Sequence, residues 1–272
     1  MNKLKIGIIG CGAIGFSLAK IIVNEFSDKA QLTVLYDVDL GKAKSLADKL
    51  GKHTSVVSTV NDLIKKVDLV IEATKPDAVY EIAKKVILAS KDIIVMSVGG
   101  IIEYYKELEK LASDNNVRLF IPSGAICGID GLKAAACGKI NKVVLTTTKP
   151  PSAFLGTPFA LENKMDLKDL KEDVVIFEGD VFSAITLFPQ NINVAATLAI
   201  AGIGPEKTVV RIVASPRAKR NMHEIEIESD SGRILTRTEN VIHPDNPKTS
   251  YLAVLSATAT LKQILKPIKV GT

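Results

Sequence analysis

The chain has 272 residues, 47% hydrophobic and 24% charged, which allows one large or two modest domains and excludes global disorder. With 3 Cys and no Trp it is not a disulfide scaffold, and 5% aromatics with Lys+Arg 35 against Asp+Glu 30 is not the clustered basic, aromatic surface of a nucleic-acid binder. Only six of those basic residues are arginine, and five of the six, at 211, 217, 220, 233 and 237, fall after residue 210.

Residues 5–9 form a short apolar run that stops at glycine, which suits a buried strand and is too short for the apolar core of a signal peptide. A helical pattern runs through Ile14, Leu18, Ile21 and Ile22. Residues 31–36 read as a strand ending at Asp37, and 41–50 as a charged helix. The alternation continues with strands at 55–57, 68–73, 92–98 and 117–121, and with helices at 60–66, 77–89 and 102–114. Apolar runs buried on both faces, separated by amphipathic helices, predict a parallel sheet with helices on both sides.

The pattern changes near residue 123. Strands are expected at 142–148, 174–177, 208–214, 222–228 and 232–238, the last two as a hairpin around Ser229-Asp230-Ser231, with an Ala-rich helix at 193–203. This is an α+β unit with a mostly antiparallel sheet. Residues 251–265 return to helical periodicity. The expected division is 1–123 with 241–272 as an α/β domain, and 124–240 as the second domain. No run approaches the ~20 apolar residues of a membrane span. Cys11, Cys127 and Cys137 lack CxxC spacing, so a cytoplasmic protein with free thiols and no metal is expected.

Gly10-Cys11-Gly12-Ala13-Ile14-Gly15 fits GxGxxG directly after a strand and before a helix. The first glycine permits a tight turn, the second lets backbone approach a pyrophosphate, and the third lets helix and strand pack closely. The helix N-terminus then presents N–H groups to the phosphates. Gly10, Gly12, Ala13, Ile14 and Gly15 are therefore candidate cofactor residues in a Rossmann domain. Asp37 stands where an acid binds the adenosine ribose hydroxyls. No arginine follows it, which favours NAD over NADP, although Lys42 and Lys44 would tolerate the extra phosphate. Ala73-Thr74-Lys75-Pro76 and Ser97-Val98-Gly99-Gly100 follow parallel strands, so Ala73, Thr74, Ser97, Val98 and Gly99 are expected in the cofactor groove; ordinary strand-end loops would look alike.

The chemistry must come from the second half. His53 lies in a polar stretch and reads as solvated, and His243, before Pro244, as structural. In Met222-His223-Glu224-Ile225-Glu226-Ile227-Glu228, alternation sets His223 on the face of Ile225 and Ile227. It is either a satisfied core histidine or the proton shuttle of this half. Asn191 or Asn193 caps the apolar helix or orients substrate or nicotinamide. The glycine-rich loop 123–131 leaves room for the nicotinamide or simply links domains. Lys149, ending Thr146-Thr147-Thr148, suits a substrate carboxylate, and the basic turn with Arg217 and Arg220 is either a solvated loop or a second anion holder.

These blocks carry a resemblance. GIIGCGAIG at 7–15, PSGAICGIDGLKAA at 122–135, TTTKPP at 146–151, FPQNINVAATLAIAGIG at 188–204 and the strand with His223 are similar to L-aspartate dehydrogenases of the NAD-biosynthesis type, over essentially the whole chain. The resemblance implies a Rossmann domain plus an α+β catalytic domain that mediates a homodimer. It implies conversion of L-aspartate, NAD(P)+ and water to oxaloacetate, ammonia and NAD(P)H through iminoaspartate. His223 matches the family's catalytic histidine, Ala125 its cofactor-contacting alanine and Asn193 its cofactor-contacting asparagine, with Asn191 the alternative in register. The stretch 151–172 carries nothing functional. Competing readings are a dihydrodipicolinate-reductase-like or homoserine-dehydrogenase-like enzyme, or a non-catalytic NAD-sensing protein.

Overall fold

The computed structural model describes residues 3–51, 54–162, 167, 170–188, 192–244 and 246–272. The chain divides into two compact units, Met1–Pro122 with Val254–Lys269, and Ser123–Ala253 with Val270–Thr272.

The first unit alternates β1 (Leu4–Ile9), α1 (Ala13–Glu25), β2 (Ala30–Tyr36), α2 (Leu40–Leu50), β3 (Ser55–Val56), α3 (Val60–Ile64), β4 (Leu69–Glu72), α4 (Pro76–Leu88), β5 (Asp92–Val95), α5 (Tyr105–Asp114) and β6 (Leu119–Phe120). Its six strands are all parallel, in the order β3-β2-β1-β4-β5-β6. The chain winds outward from β1 to β3 and then crosses to β4, so the direction of winding reverses between β1 and β4. Ligands of open parallel sheets bind at the carboxyl ends of the strands flanking such a reversal. Two strands are shorter than periodicity predicts. The Met96 N–H is shared between Glu72 O and Glu72 Oε2, both at 3.1 Å, and the Ser97 N–H turns to Oε2, so β5 stops at Val95 and a 3-10 turn, Val98–Ile101, follows. Likewise Val117 and Arg118 donate to Ala112 O and Asp92 Oδ1, which leaves β6 only two residues.

The second unit runs α6 (Ile129–Ala136), β7 (Ile140–Lys149), a 3-10 turn at Pro151–Phe154, α7 (Pro158–Glu162), β8 (Val174–Gly179), α8 (Val181–Leu187), α9 (Ile192–Ala201), β9 (Thr208–Ala214), β10 (Asn221–Ser229), β11 (Gly232–Asn240), β12 (Ile242–His243) and β13 (Asn246–Ser250). Its five-stranded sheet has the order β11-β10-β7-β9-β8 and is antiparallel except for the β7/β9 pair. One face buries Ile225, Ile227, Val143, Leu145, Val210 and Ile212. The other carries Glu224, Glu226 and Glu228 beside Lys142, Arg211, Arg233 and Arg237, because side chains alternate along each strand. Phe154 and Phe188 are fully buried, with ring centroids 6.1 Å apart, so the stretch after Lys149 contributes to the core.

The last helix, α10 (Tyr251–Leu265), adds Val254, Ala257 and Leu261 to the core formed by Ile6 and Ile8 of β1 and Leu18 and Ile22 of α1. Residues 241–253, expected with the first domain, belong to the second unit. The Tyr251 N–H bonds Val241 O at 3.0 Å, and Ser250 Oγ donates to Asn240 Oδ1 at 3.0 Å, which ties this segment to the end of β11. The last residues also return there: Thr272 N and Oγ1 both donate to Asp130 Oδ1 at 2.9 Å, and Lys133 Nζ donates to Thr272 O.

Candidate active site

In the first unit the loops after β1, β4 and β5 lie at the carboxyl edge of the sheet. Gly10 has φ +95°, and a Cβ there would strike the Ala73 carbonyl. A Cβ on Gly15 would strike Gly10 O. These two glycines are demanded by the protein's own backbone. Gly12 is different: its φ is −70°, it is exposed, and a Cβ on it would meet nothing within 4 Å. It caps α1 without a side-chain bond, and the first turn of α1 holds no acid. An open approach to a helix N-terminus fits a pyrophosphate, and the protein alone gives no reason for glycine there.

Asp37 closes β2 with its carboxylate fixed. Oδ2 accepts from Cys11 N–H at 2.7 Å and Oδ1 from Asp39 N–H at 2.9 Å. Cys11 is buried, and burial first, then the Asp37 charge, pushes its thiol up to about 12. Asp39 caps α2 by accepting from Gly41 and Lys42 N–H at 3.0 and 3.4 Å. Thr74 is joined to Ser97 directly, Ser97 Oγ donating to Thr74 O at 2.7 Å. Val98 and Gly99 are buried in the 3-10 turn; Ala13 and Ile14 open α1 and are half-buried.

In the second unit His223 lies opposite Thr147 in the β10/β7 register. Thr147 Oγ1 and His223 Nδ1 are hydrogen-bonded at 3.0 Å, which engages the Nδ1 side of the ring. Lys149, two residues beyond Thr147, shares that face. Burial, and next the charge of Lys149, lowers His223 to about 4, which leaves the imidazole neutral at pH 7. Desolvation likewise lowers the half-buried Lys149 to about 8. Ala125 is buried, and its carbonyl accepts from Thr238 Oγ1 at 3.1 Å and Asn240 Nδ2 at 3.0 Å, while Thr236 Oγ1 donates to Cys127 O at 3.2 Å. Three alternate residues of β11 thus pin the loop 123–128 beside the face that bears His223.

Asn193 sits exposed in the first turn of α9; Asn191 and His53 lie outside the described residues. His243 is buried with its ring 5.3 Å from Tyr251. The turn with Arg217 and Arg220 joins β9 to β10 at the edge where β7 ends in Lys149. The Arg217 guanidinium is 3.2 Å from Asp173, and Arg220 is exposed.

Comparisons with known proteins decide the family. Residues 130–264 match the family model "Aspartate dehydrogenase, C-terminal", and residues 10–122 match "Homoserine dehydrogenase, NAD binding domain". An L-aspartate dehydrogenase of Methanosarcina mazei is 44% identical, covering 99% of this chain and 100% of that protein. The chain belongs to the L-aspartate dehydrogenase family. The crystal structure of aspartate dehydrogenase from Thermotoga maritima superposes with a TM-score of 0.76 at 28% identity, covering 99% of this chain and 100% of that one. A homoserine dehydrogenase from Thiobacillus denitrificans, at TM-score 0.66 and 14% identity over 97% of this chain and 74% of that one, shares the fold alone. Two residues of this L-aspartate dehydrogenase family member lie outside the expectations drawn from the sequence. Glu72 is an acid closing an apolar strand, and Asn240 ends a polar stripe with Thr236 and Thr238. Those two departures from apolar patterning were the available signals.

Proposed function

We propose that this protein oxidises L-aspartate with NAD+ to iminoaspartate, which water converts to oxaloacetate and ammonia. The observation that carries the reading is the cluster of His223, Thr147 and Lys149 on one face of the second sheet, in a chain of this family. Gly10, Gly12, Ala13, Ile14, Gly15 and Asp37 would hold the cofactor, with Ala73, Thr74, Ser97, Val98 and Gly99 lining the crevice; family likeness supports Ala125 and Asn193 (or Asn191) as further cofactor residues. When bound, NAD+ accepts the hydride that leaves the substrate Cα.

The chain's own residues do the rest. Lys149, cationic below about 8, meets a substrate carboxylate. Arg217 is already neutralised by Asp173, so it is the weaker of the cationic candidates, and Arg220 stands in the same turn. His223, neutral and held by Thr147, takes a proton through Nε2 from the substrate ammonium, so that the nitrogen lone pair can form the C=N bond, and releases it to solvent; it then takes a proton from the water that adds to the imine carbon and returns it to the departing nitrogen. The two substrate carboxylates add negative charge beside His223 and raise its proton affinity toward the working range.

NAD over NADP is supported by the carboxylates of Asp37 and Asp39 and by an α2 N-terminus whose N–H groups Asp39 already occupies; a 2′-phosphate would meet repulsion there. Family likeness supports a cytoplasmic homodimer that feeds NAD biosynthesis. Initial rates with L-aspartate and each cofactor test the reading, with L-homoserine as the competing substrate. NADH formation that depends on aspartate, is faster with NAD+ than NADP+, and falls by about a hundredfold or more in His223→Ala is expected. No aspartate-dependent NADH formation, or turnover of homoserine instead, overturns it.

A further inference from the structure

Glu72 is a carboxylate with 0% exposure at the last position of β4. Its Oε1 accepts from Thr74 N–H at 2.6 Å and Thr74 Oγ1 at 2.7 Å, and its Oε2 from Met96 N–H and Ser97 N–H, both at 3.1 Å. A carboxylate offers about four acceptor sites, and four donors fill them. A charge this deep is tolerated only when so bonded. Its donors come from two loops that are adjacent in space and more than twenty residues apart in sequence. Ser97 Oγ bonded to Thr74 O closes the same ring. The loops continue the connection: Gly10 packs on the Ala73 carbonyl, and Gly100 packs on the Pro76 carbonyl.

We propose that Glu72 is a positioning residue for the nicotinamide cofactor: it locks the loops after β4 and β5 to each other at the carboxyl edge of the sheet, and so fixes the backbone surface on which the cofactor lies. The inference rests on the reading that this crevice takes NAD. Glu72 itself neither moves a proton nor touches the reacting atoms, because it is buried and its oxygens are saturated. Binding energy is gained when loops are already in the bound arrangement rather than ordered on binding. Glu72→Gln is nearly isosteric and tests this directly. In either orientation its NH2 faces a backbone N–H, at Thr74 on one side or at Met96 and Ser97 on the other, so part of the clamp opens.

NADH binding, read by fluorescence titration without substrate, and steady-state kinetics together give the answer. In Glu72→Gln, the NADH Kd and the KM for NAD+ rise about tenfold, roughly 1.4 kcal/mol. At saturating NAD+, kcat stays within about threefold and the KM for aspartate is little changed. A general loss of structure would instead lower kcat with the inactive fraction and leave KM alone. A folded Glu72→Gln protein with wild-type NADH affinity overturns the proposal, as does a fall in kcat with no change in NADH Kd. Where Glu72→Gln does not fold, Thr74→Val and Ser97→Ala each delete one bond of the ring. NADH binding weakened about two- to fivefold in both supports the clamp, and unchanged binding overturns it. A wild-type protein that binds NADH, weakens on Glu72→Gln and oxidises no aspartate keeps the clamp and removes the substrate; one that binds no NADH removes both.

Discussion

Gly10 and Gly15 are glycines because neighbouring backbone atoms occupy the space of a Cβ, whereas around Gly12 the space is open. The distinction separates folding from binding at single-residue resolution. Gly15→Ala pushes a methyl into Gly10 O, and Gly10→Ala adds a strained positive φ to a clash with Ala73 O, so both destabilise the first unit. Gly12→Ala only exchanges one side-chain-free helix cap for a poorer one and is expected to cost within about 1 kcal/mol of stability. Its methyl would stand where a pyrophosphate must approach, so NADH binding should weaken by more than about tenfold. Thermal melts of the three variants beside NADH titrations check the contrast. A Gly12→Ala protein that melts and binds NADH like wild type would show that the open space is not a phosphate cradle.

At the scale of elements, the pinned loop 123–128 shows how a strand edge holds a segment without secondary structure. The Ala125 carbonyl has two donors, Thr238 Oγ1 and Asn240 Nδ2. Removing either leaves the carbonyl satisfied by the other, and only the double variant buries it unbonded. Thr238→Val and Asn240→Ala should therefore be mild singly and more than additive together, with a coupling of about 1 kcal/mol in a urea-denaturation double-mutant cycle. Additive effects would mean that the two bonds are not alternatives. The same elements show what sequence could disclose. The alternation of strands and helices in the first unit is legible because each element shows its own hydrophobic period. The glycine fingerprint is legible because its spacing is local. The early end of β5, the late start of β6, the Glu72 ring and the Ala125 clamp are not, because each depends at least in part on partners more than twenty residues away that no local period announces. The same holds for residues 241–253: the Ser250 bond to Asn240 and the Tyr251 N–H bond to Val241 O are tertiary contacts without a periodic signature.

Across the whole molecule, charge is sorted by sheet face. Among the described residues Arg118, Arg211, Arg217, Arg233 and Arg237 each hold a carboxylate, on Asp92, Glu178, Asp173, Glu226 and Glu239. The late arginines expected to form a basic site are thus mostly neutralised, and Arg211, Arg233 and Arg237 lie on the face opposite His223. Near His223 stands Lys149, and the apolar face of the sheet that bears both is a dry setting with consequences for stability. His223 has a pKa lowered from 6.5 to about 4 by burial and then by Lys149. Between those two pH values the unfolded chain binds a proton that the folded chain refuses, so stability falls as pH drops from about 6.5 to about 4. For one nearly buried imidazole the loss is on the order of 3 kcal/mol. Lys149 acts in another window: the unfolded amine holds its proton to higher pH than the folded one, so stability rises as pH climbs from about 8 to 10.5. Urea unfolding of the wild type and of His223→Gln at steps from pH 7 to pH 4 isolates the first effect. The wild type should lose on the order of 3 kcal/mol more than the variant over that range. Lys149→Met should narrow this difference without removing it, since burial is the larger cause. Parallel acid profiles for wild type and His223→Gln would mean that the imidazole is hydrated and titrates alike in the folded and unfolded chain.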